Sequence, residues 1–523
     1  MTLLPMRYIY FAIPSLLLIA LIAIEWYEIL TINSGTFSYS LDDPYIHLSL
    51  AQHIGAGEYS LNHGEFASPS SSILWPFLLA PFSYFKLFEF TPLLLNSVFA
   101  LFTLWVFIHL VLSVLPEPQL HWAHIIIFCL LIPTLNLVGL AFTGLEHSLQ
   151  MLLSVLLIYG LIIESRRKLF PYWLAVVIIV GPLIRYENLA LSIPALVFLF
   201  YRGHKKQALY SLGILIVLLA VFSLFLIHIG QPPLASAIVM KLGIGVISSL
   251  GEGLIAYFRT NLIERQTLIF LIFLIFFIGL IFFSRLSPVK KQLLVVLSTS
   301  LLLHLFLGKF NWYHRYELYL YAAVWFMILY LYFDSMVADP RQIIWYPVVF
   351  LGLVFASFPY LSVLYTLPRA ANNIFLQQYQ MRKFIVTWAK APVVVNDIGW
   401  VSFNNPYYVL DLWGLSNYAI YKERISDKSS LWMAREVKKS GAKLAMVYKN
   451  WFPLLPKNWV LLGCLSFNAP RITPANRVVH FYATDIKYAA ELKQQLTQFI
   501  KELPEGAQFS FNCNNGRMSH GLI

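Results

Sequence analysis

The chain has 523 residues, of which 59% are hydrophobic and 12% are charged, and its formal net charge is +12. A mean hydropathy of +0.69 excludes an ordinary soluble enzyme, and its long continuous apolar runs argue against an alternating-strand β-barrel. Three cysteines, Cys129, Cys464 and Cys513, are too few for a disulfide-dense scaffold. The composition therefore predicts a polytopic α-helical membrane protein.

Apolar runs separated by polar loops predict about eleven membrane spans. The first run, 9–24, is not followed by a small-residue cleavage site, so we expect a retained helix and not a removable signal peptide. The other predicted spans are 92–115, 122–141, 148–163, 173–184, 189–201, 210–229, 267–283, 293–307, 318–333 and 343–367.

Basic residues give this threading an orientation. The clusters 166–168, 202–206 and 285–291 all fall on one side, which the positive-inside rule assigns to the cytoplasm. The acidic and aromatic polar stretches fall on the other side. We therefore predict a multi-pass membrane protein with a cytoplasmic N-terminus and an extracytoplasmic C-terminal domain, which in a Gram-negative cell lies in the periplasm.

After about residue 367 the pattern changes to strands alternating with helices, which predicts a C-terminal α/β domain. The expected division is a membrane domain, 1–367, and an extracytoplasmic domain, 368–523. The predicted strands are 393–395, 408–411 and 444–448, and the predicted helices are 375–390, 431–439 and 489–503. Most of the positive charge lies in this domain, as either an anion-binding face or a solvated surface. Cys464 and Cys513 would lie where a disulfide is permitted, and whether they pair is left open.

The stretch Asp42-Asp43-Pro44 follows the first span. Proline favours the first helical position and Asp the preceding N-cap, so Asp43 is predicted to cap a helix 44–54 that ends at Gly55 or Gly57. Asp42 is then free to meet a substrate. The alternative is that both acids only cap and solvate the helix start. Acids at a membrane boundary are costly unless something uses them.

Three later stretches carry charge on the same predicted side. Glu146 opens a helix, where the helix dipole alone favours an acid. Arg185 and Glu187 lie between two spans and could simply pair with each other. Arg315, preceded by Tyr313 and His314, suits a lipid-linked phosphate, because the planar guanidinium grips phosphate oxygens. The alternative for Arg315 is an aromatic belt with a snorkelling cation.

Several site classes have no signal in the sequence. It contains no glycine-rich phosphate loop, no dinucleotide fingerprint and no Cys/His cluster with zinc spacing. The basic residues form no nucleic-acid-binding module, so no nucleic-acid partner is predicted.

The ordered motifs of the chain resemble those of the GT-C superfamily of integral membrane glycosyltransferases, in particular bacterial arabinofuranosyltransferase- and mannosyltransferase-like members. Pro44 stands where that family usually has a small residue, and Tyr186 where proline is common. The motifs that carry the resemblance are Asp42-Asp43-Pro44-Tyr45-Ile46, the Ser-Pro-Ser-Ser-Ser run with its sequel at 68–81, Thr-Gly-Leu-Glu at 143–146, Arg-Tyr-Glu-Asn at 185–188, His-Arg-Tyr at 314–316, Asn-Asp-Ile-Gly at 396–399 and Asp-Leu-Trp-Gly-Leu at 411–415.

The resemblance implies transfer of a sugar from a polyprenyl-phosphate donor to a glycan, glycolipid or protein acceptor on the periplasmic face, beside membrane lipids. Asp42, or else Asp43, would be the general base. No cofactor would be required, and a divalent cation on these two acids is the alternative. The residues implied for donor phosphate are Arg315, His314, Tyr313 and Arg185, and those implied for orienting sugar or acceptor are Glu146, Glu187, Tyr45 and His47.

This reading predicts that Asp42, Glu146, Arg185 and Arg315 line one outward-opening cavity. Its rival is a transporter or flippase of lipid-linked sugars, which would need charges near the bilayer midplane and repeated, broken helices. The candidate acids gather at one predicted face, and the sequence shows no internal repeat, so the enzyme reading is preferred. A non-catalytic scaffold would explain the C-terminal domain but not the collected acids.

Overall fold

A computed structural model describes residues 6–116, 120–241, 258–427 and 429–513. The chain forms two compact units. The helical unit comprises Met1–Tyr27 and Ser70–Leu367, and the α/β unit comprises Glu28–Pro69 and Pro368–Ile523. The change at residue 367 agrees with the expected division. Residues 28–69, expected with the membrane domain, belong instead to the α/β unit, because this polar segment packs and hydrogen-bonds against C-terminal residues.

Helices of the described ranges account for every predicted span. Nine helical segments there are long and apolar enough to cross a membrane, and two shorter apolar helices, Tyr172–Ile184 and Tyr186–Tyr201, occupy the fifth and sixth predicted positions. The α-helices are Met6–Ile32, Trp75–Leu79, Thr91–Val114, Ala123–Thr134, Leu137–Phe142, His147–Arg167, Tyr172–Ile184, Leu189–Tyr201, Lys205–His228, Ser236–Lys241, Arg265–Phe283, Pro288–Leu307, Leu318–Ala338 and Tyr346–Ile374.

The long helices differ in how far the protein covers them. Along an apolar stretch of 18 residues in each helix, 67% of the residues of His147–Arg167 and 78% of those of Leu318–Ala338 are buried, against 22% for Lys205–His228. All three are apolar around most of their circumference, as expected of helices that face either protein or lipid on every side. The two covered helices form the centre of the helical unit, and the polar corners at 143–147 and 309–317 lead into them.

The serine-rich stretch and the residues after it contact the C-terminal end of the helix Tyr172–Ile184. The Ser70 hydroxyl donates to Ser72 O at 2.7 Å. The backbone N–H groups of Ile73 and Leu74 both donate to Leu183 O at 3.1 Å. This backbone pairing holds Ser71 close to Arg185, which directly follows the helix Tyr172–Ile184.

The α/β unit contains a six-stranded mixed sheet in the order β4-β3-β5-β7-β6-β8. β3 pairs in parallel with β4 and β5, and the remaining pairs are antiparallel. The three parallel strands are those predicted from the sequence, and the antiparallel strands were not predicted. The strands are β1 Ser60–Asn62, β2 Glu65–Phe66, β3 Val393–Val395, β4 Val409–Asp411, β5 Leu444–Val447, β6 Val460–Phe467, β7 Val478–Ala483 and β8 Ala507–Ser510.

The helices of this unit pack on the sheet through a core that includes Trp432, Val437 and Leu412. The predicted helix 375–390 continues directly from Tyr346–Ile374 as alternating π and α turns, and Pro368 lies inside that helix without ending it. The α-helices of the unit are Asp43–Gly55, Gln380–Phe384, Gly399–Ser402, Tyr418–Ser426, Leu431–Ser440 and Ile486–Phe499.

A small hairpin, β1–β2, ties residues 28–69 to the edge strand β4. Asn62 Nδ2 donates to Val409 O at 3.0 Å, and Val409 N donates to Asn62 Oδ1 at 2.9 Å. The Tyr408 hydroxyl donates to Glu65 Oε2 at 2.6 Å. The side-chain amide thus satisfies backbone groups of an edge strand that would otherwise be open.

A disulfide joins Cys464 in β6 to Cys513, just after β8. The two cysteines, whose pairing the sequence left open, therefore form a disulfide. Cys129, in the helical unit, is a free cysteine.

Candidate functional site

Asp42 stands at the start of the helix Asp43–Gly55, whose first turn contains Pro44. The predicted helix is confirmed, and it begins one residue earlier than expected. Asp42, and not Asp43, occupies the N-cap position, and Asp43 is the first helical residue. The Asp42 side chain makes no capping bond to its own helix. Its Oδ2 accepts from Gly399 N and its Oδ1 from Trp400 N, both at 2.8 Å. The expectation that this carboxyl is free was wrong.

The Asp42 carboxyl caps a different helical turn, Gly399–Ser402. It receives two N–H groups that have no partner within that turn, and a negative charge suits a helix start. The approach requires glycine, because a Cβ on Gly399 would lie 2.2 Å from Asp42 O and 2.3 Å from Asp42 Oδ2. The two motifs at 42–44 and 396–399, which are far apart in the chain, therefore form one structure.

A second carboxyl, that of Asp397, is close enough to that of Asp42 to affect its pKa. Burial raises the pKa of Asp42 well above its ordinary value, and the nearby Asp397 raises it further, although the Trp400 N–H opposes this. Burial also raises the pKa of Asp397, against a hydrogen bond from Gln378. Two neighbouring carboxyls with raised pKa values favour a state in which one of them is protonated.

Amide and phenol groups surround the Asp397 side of this pair. Gln378 Nε2 donates to Asp397 Oδ2 at 2.9 Å. The Tyr448 hydroxyl donates to Gln377 Oε1 at 2.6 Å and lies 3.4 Å from Asp397 Oδ2. The Asn396 side chain accepts from Tyr448 N at 2.7 Å and so fixes the tyrosine backbone. This network orients the carboxyl pair.

The group formed by Asp42, Asp43 and Asp397 is called the acid cluster below. Asp42 is 7% exposed, whereas Asp43 and Asp397 both keep partial exposure. A carboxyl pair that shares one proton, and reaches solvent through its neighbours, can accept a further proton from a hydroxyl group. Its oxygens are also hard donors of the kind that Mg²⁺ takes, although both Asp42 oxygens already accept amide N–H groups. The predicted divalent cation stays a prediction.

Two other residues of the first motif are buried. The Tyr45 ring stacks on Trp400 with centroids 3.7 Å apart, and the Tyr45 hydroxyl accepts from Tyr39 N at 3.2 Å. Tyr45 is 0% exposed and His47 is 5% exposed. Both side chains are buried among neighbouring residues, and their predicted contacts with sugar or acceptor stay predictions.

In the helical unit, one arginine joins two of the predicted acids. Arg185 Nη1 donates to Glu146 Oε1 at 2.7 Å, and Arg185 holds Glu187 through Nη2 at 2.6 Å and Nε at 3.2 Å. Nη1 also donates to Ser71 Oγ at 3.2 Å. Arg185 is 2% exposed and Glu146 is 0% exposed. The group of Arg185, Glu146 and Glu187 is called the arginine cluster below.

Local backbone geometry explains why these side chains meet. Arg185 is extended, with φ −151° and ψ 132°, between the helix Tyr172–Ile184 and the short turn Tyr186–Asn188. Glu187 lies in that turn, and its carboxylate accepts from the Arg185 guanidinium two residues back. Glu146 stands at the N-cap of His147–Arg167 without capping it through its side chain, which leaves the carboxylate to Arg185.

The tyrosine of the His-Arg-Tyr motif lies against two guanidinium groups. The Tyr316 ring centroid is 5.3 Å from the Arg185 guanidinium carbon and 4.9 Å from that of Arg315. Arg315 Nη2 donates to the Tyr316 hydroxyl at 3.2 Å, and His147 meets the same ring edge-on at 5.7 Å. Tyr316 therefore connects Arg315 to the arginine cluster.

The loop before Tyr316 contains a left-handed turn of four consecutive non-glycine residues. Their φ angles are 65° at Asn311, 45° at Trp312, 63° at Tyr313 and 51° at His314. Each such residue costs roughly 1–2 kcal/mol, so the surroundings must hold the turn. Asn311 N donates to Glu317 Oε2 at 3.0 Å, and Gln266 Nε2 donates to His314 Nδ1 at 2.8 Å. Those two hydrogen bonds fix the positions of the first and last residues of the turn.

A pocket of about 750 Å³ opens at this turn. Four of its nine lining residues are aromatic, and the others supply one ammonium, one carboxylate and three neutral polar side chains. Tyr313 and Tyr316 line it, whereas His314 and Arg315 are not among its lining residues. The lining residues are Thr260, Asn261, Glu264, Lys309, Phe310, Asn311, Trp312, Tyr313 and Tyr316.

The predicted site residues thus fall into two groups. The helical unit brings together Glu146, Arg185 and Glu187, with Arg315 reached through Tyr316. Asp42 and Asp43 belong to the α/β unit. The expectation of one cavity shared by all of them stays a prediction. Sequence reasoning missed the roles of Gln377, Gln378 and Tyr448. The Asn-Asp-Ile-Gly motif at 396–399 was the one signal near them.

A family described as a domain of unknown function, DUF8728, matches residues 372–482. The matched range includes Gly399, which donates to Asp42, and Asp397 with its partners Gln378 and Tyr448. No curated protein matches the chain.

Proposed function

We propose that this protein is a membrane glycosyltransferase that moves a sugar from a polyprenyl-phosphate donor to a glycan, glycolipid or protein acceptor. The observation that carries the proposal is the carboxyl pair of Asp42 and Asp397, held by two backbone N–H groups and by Gln378. Burial raises the pKa values of both carboxyls, which makes them better proton acceptors than an ordinary carboxylate and supports a role in proton transfer.

The pocket at the left-handed turn supports a sugar-phosphate donor. Its volume of about 750 Å³ lies within the usual range for small-molecule sites. Aromatic walls suit the apolar faces of a sugar ring, while Asn261, Asn311 and Glu264 offer partners to its hydroxyl groups. Lys309 lines the pocket and Arg315 lies against Tyr316, so cationic groups are close to where a phosphate would sit.

The proposed reaction is a displacement at the anomeric carbon. The acceptor O–H bond breaks and its proton passes to the Asp42–Asp397 pair, which takes up its second proton. The acceptor oxygen bonds to the anomeric carbon as the bond from that carbon to the phosphate oxygen breaks. The electron pair of that bond leaves with the polyprenyl phosphate.

Arg185 has a different part in this proposal from the one implied by the resemblance. Four of its five N–H groups are engaged with Glu146, Glu187 and Ser71. It therefore positions the acids and the Tyr316 ring. The nine long apolar helices and the basic clusters at 166–168, 202–206 and 285–291 support a bacterial inner-membrane location with both termini placed as the positive-inside rule predicts.

The test is a turnover assay on the purified full chain with a panel of polyprenyl-phosphate sugars, in which release of polyprenyl phosphate is measured. Asp42→Asn should lower kcat/KM by about 10²–10⁴-fold, the usual contribution of a general base. Glu491→Gln, at an exposed carboxylate of the same unit, is the matched control and should leave turnover unchanged. Full turnover by Asp42→Asn with every donor would remove the carboxyl pair from the reaction.

A further inference from the structure

A third group of titratable side chains lies outside both clusters, in an eleven-residue segment of the α/β unit. His53 lies in the last turn of the helix Asp43–Gly55, and Glu58 follows that helix by three residues. His63 lies at the tip of the β1–β2 hairpin. His63 Nδ1 lies 3.4 Å from Glu58 Oε2, and His53 Nδ1 lies 4.0 Å from the same oxygen. One donor atom from each residue lies within 4.8 Å of the others.

The geometry points to a binding site for a divalent transition-metal ion, with His53, Glu58 and His63 as its protein ligands. Two imidazoles and a carboxylate are a ligand set that Zn²⁺ favours. With bonds of about 2.0–2.2 Å, a tetrahedral ion separates neighbouring donor atoms by about 3.3–3.5 Å. The Glu58–His63 distance already has this value. The remaining donors need only to approach, and the His63 side chain is 83% exposed and can move.

Hydrogen bonds already orient the Glu58 ligand. Gly64 N donates to Glu58 Oε2 at 3.3 Å, and Ser60 Oγ lies 3.2 Å from that oxygen and 2.9 Å from His53 Nδ1. A metal at His53 Nδ1 would take the lone pair that now faces Ser60, and the hydroxyl would then donate to Glu58. Such outer contacts fix ligand orientation in metal sites.

The site would act as a clip. A bound ion would link the end of the helix Asp43–Gly55 to the β1–β2 hairpin, which hydrogen-bonds to β4 through Asn62. The other end of that helix carries Asp42 and Asp43 of the acid cluster. Three protein ligands leave a fourth position for water. This inference does not depend on the proposed glycosyl transfer, because the clip could be structural in a protein of any activity.

Titration of the chelator-treated full chain with Zn²⁺, followed by calorimetry, tests the inference. We expect one high-affinity ion per chain, and at least about tenfold weaker binding in both His63→Ala and Glu58→Gln, since loss of even an outer contact costs 10–100-fold. His63 is exposed, so His63→Ala should fold; equal melting temperatures of the metal-free proteins would verify this. Zn²⁺ should raise the melting temperature of the native chain more than that of His63→Ala.

A matched control addresses the other three-ligand group within the described ranges, Cys464, His480 and Cys513. Its two sulfurs are joined in a disulfide, so His480→Ala should bind Zn²⁺ as tightly as the native chain. If His63→Ala and Glu58→Gln both retain native affinity, or if no ion binds at micromolar concentration, the inference is wrong and the group is a surface contact.

Discussion

The two units bury charge in opposite ways. In the helical unit, Arg185 lies between Glu146 and Glu187, so each buried charge faces one of opposite sign. In the α/β unit, Asp42 faces Asp397, a group of the same sign, and only uncharged donors compensate them. Opposite charges in contact hold their ionisation states firmly, whereas like charges share a proton and exchange it readily.

This difference separates a positioning element from a reactive one. The arginine cluster keeps the corners at 143–147 and 185–188 in place through its ion pairs. Burial raises the pKa values of Asp42 and Asp397, and neighbouring carboxyl groups raise them further, so these two groups hold a proton more strongly than an ordinary carboxyl does. Chemistry that needs proton transfer is therefore expected in the α/β unit, and the following changes test that contrast.

The largest loss of stability is expected from Arg185→Leu. It would leave the fully buried Glu146 without its guanidinium, and breaking a buried pair costs about 3–5 kcal/mol. Thermal unfolding of the purified protein measures the effect. Lys383→Met, which breaks the partly exposed pair with Glu502, is the control and should cost no more than about 1 kcal/mol. Equal losses in the two variants would mean that Arg185 is not a structural centre.

Removal of the disulfide should destabilise the α/β unit alone. The bond between Cys464 and Cys513 closes a loop with a sequence separation of 49, and native disulfides of this kind contribute about 2–4 kcal/mol. Replacing both cysteines by serine should lower the denaturant midpoint of that unit. Cys129→Ser, in the helical unit, serves for comparison. A midpoint that does not move would show that the sheet needs no cross-link.

Gly399→Ala should disturb the acid cluster through packing alone. The added Cβ would lie within 2.3 Å of both the backbone and the carboxyl of Asp42, and overpacking of this kind costs about 1–3 kcal/mol. Turnover should fall together with stability, because the N–H groups of 399 and 400 would move away from the carboxyl. Gly279→Ala meets nothing within 4 Å and should leave both melting temperature and turnover unchanged.

Asp397→Asn should shift the pH dependence of activity without abolishing it. Loss of the neighbouring carboxylate lowers the pKa of Asp42, so the acidic limb of the kcat/KM profile should move to lower pH. Stability should respond with a defined sign. The raised pKa makes the native protein lose stability as pH rises from the ordinary carboxyl range through the raised value, and this loss should be smaller in the variant. An unchanged profile would mean that Asp42 does not titrate in the reaction.

Local pattern was sufficient for much of the fold. The apolar runs predicted each of the eleven helical segments, and Asp-Pro at 43–44 predicted a helix start within one residue. The parallel strands at 393–395, 409–411 and 444–447 are short buried runs of mainly apolar residues, a pattern that predicts a buried strand. The strands β6, β7 and β8 were missed because their alternating burial is interrupted by polar and aromatic residues.

The candidate site could be predicted only in part. Glu146, Arg185 and Glu187 were singled out, and the structure joins them directly. The partner of Asp42 could not be inferred by spacing, since Gly399 is 357 residues away. Nor could the left-handed turn at 311–314, because Trp, Tyr and His carry no preference for positive φ and are held there by Glu317 and Gln266.

The amino-acid sequence by itself determined where helices and strands form, because hydrophobic periodicity, proline and helix-start acids act over a few neighbouring residues. Tertiary structure alone decided that residues 28–69 join the C-terminal sheet, that Asp42 caps a distant turn, and that Arg185 pairs with Glu146. Those outcomes depend on hydrogen bonds and ion pairs between residues tens to hundreds of positions apart, which no local pattern encodes.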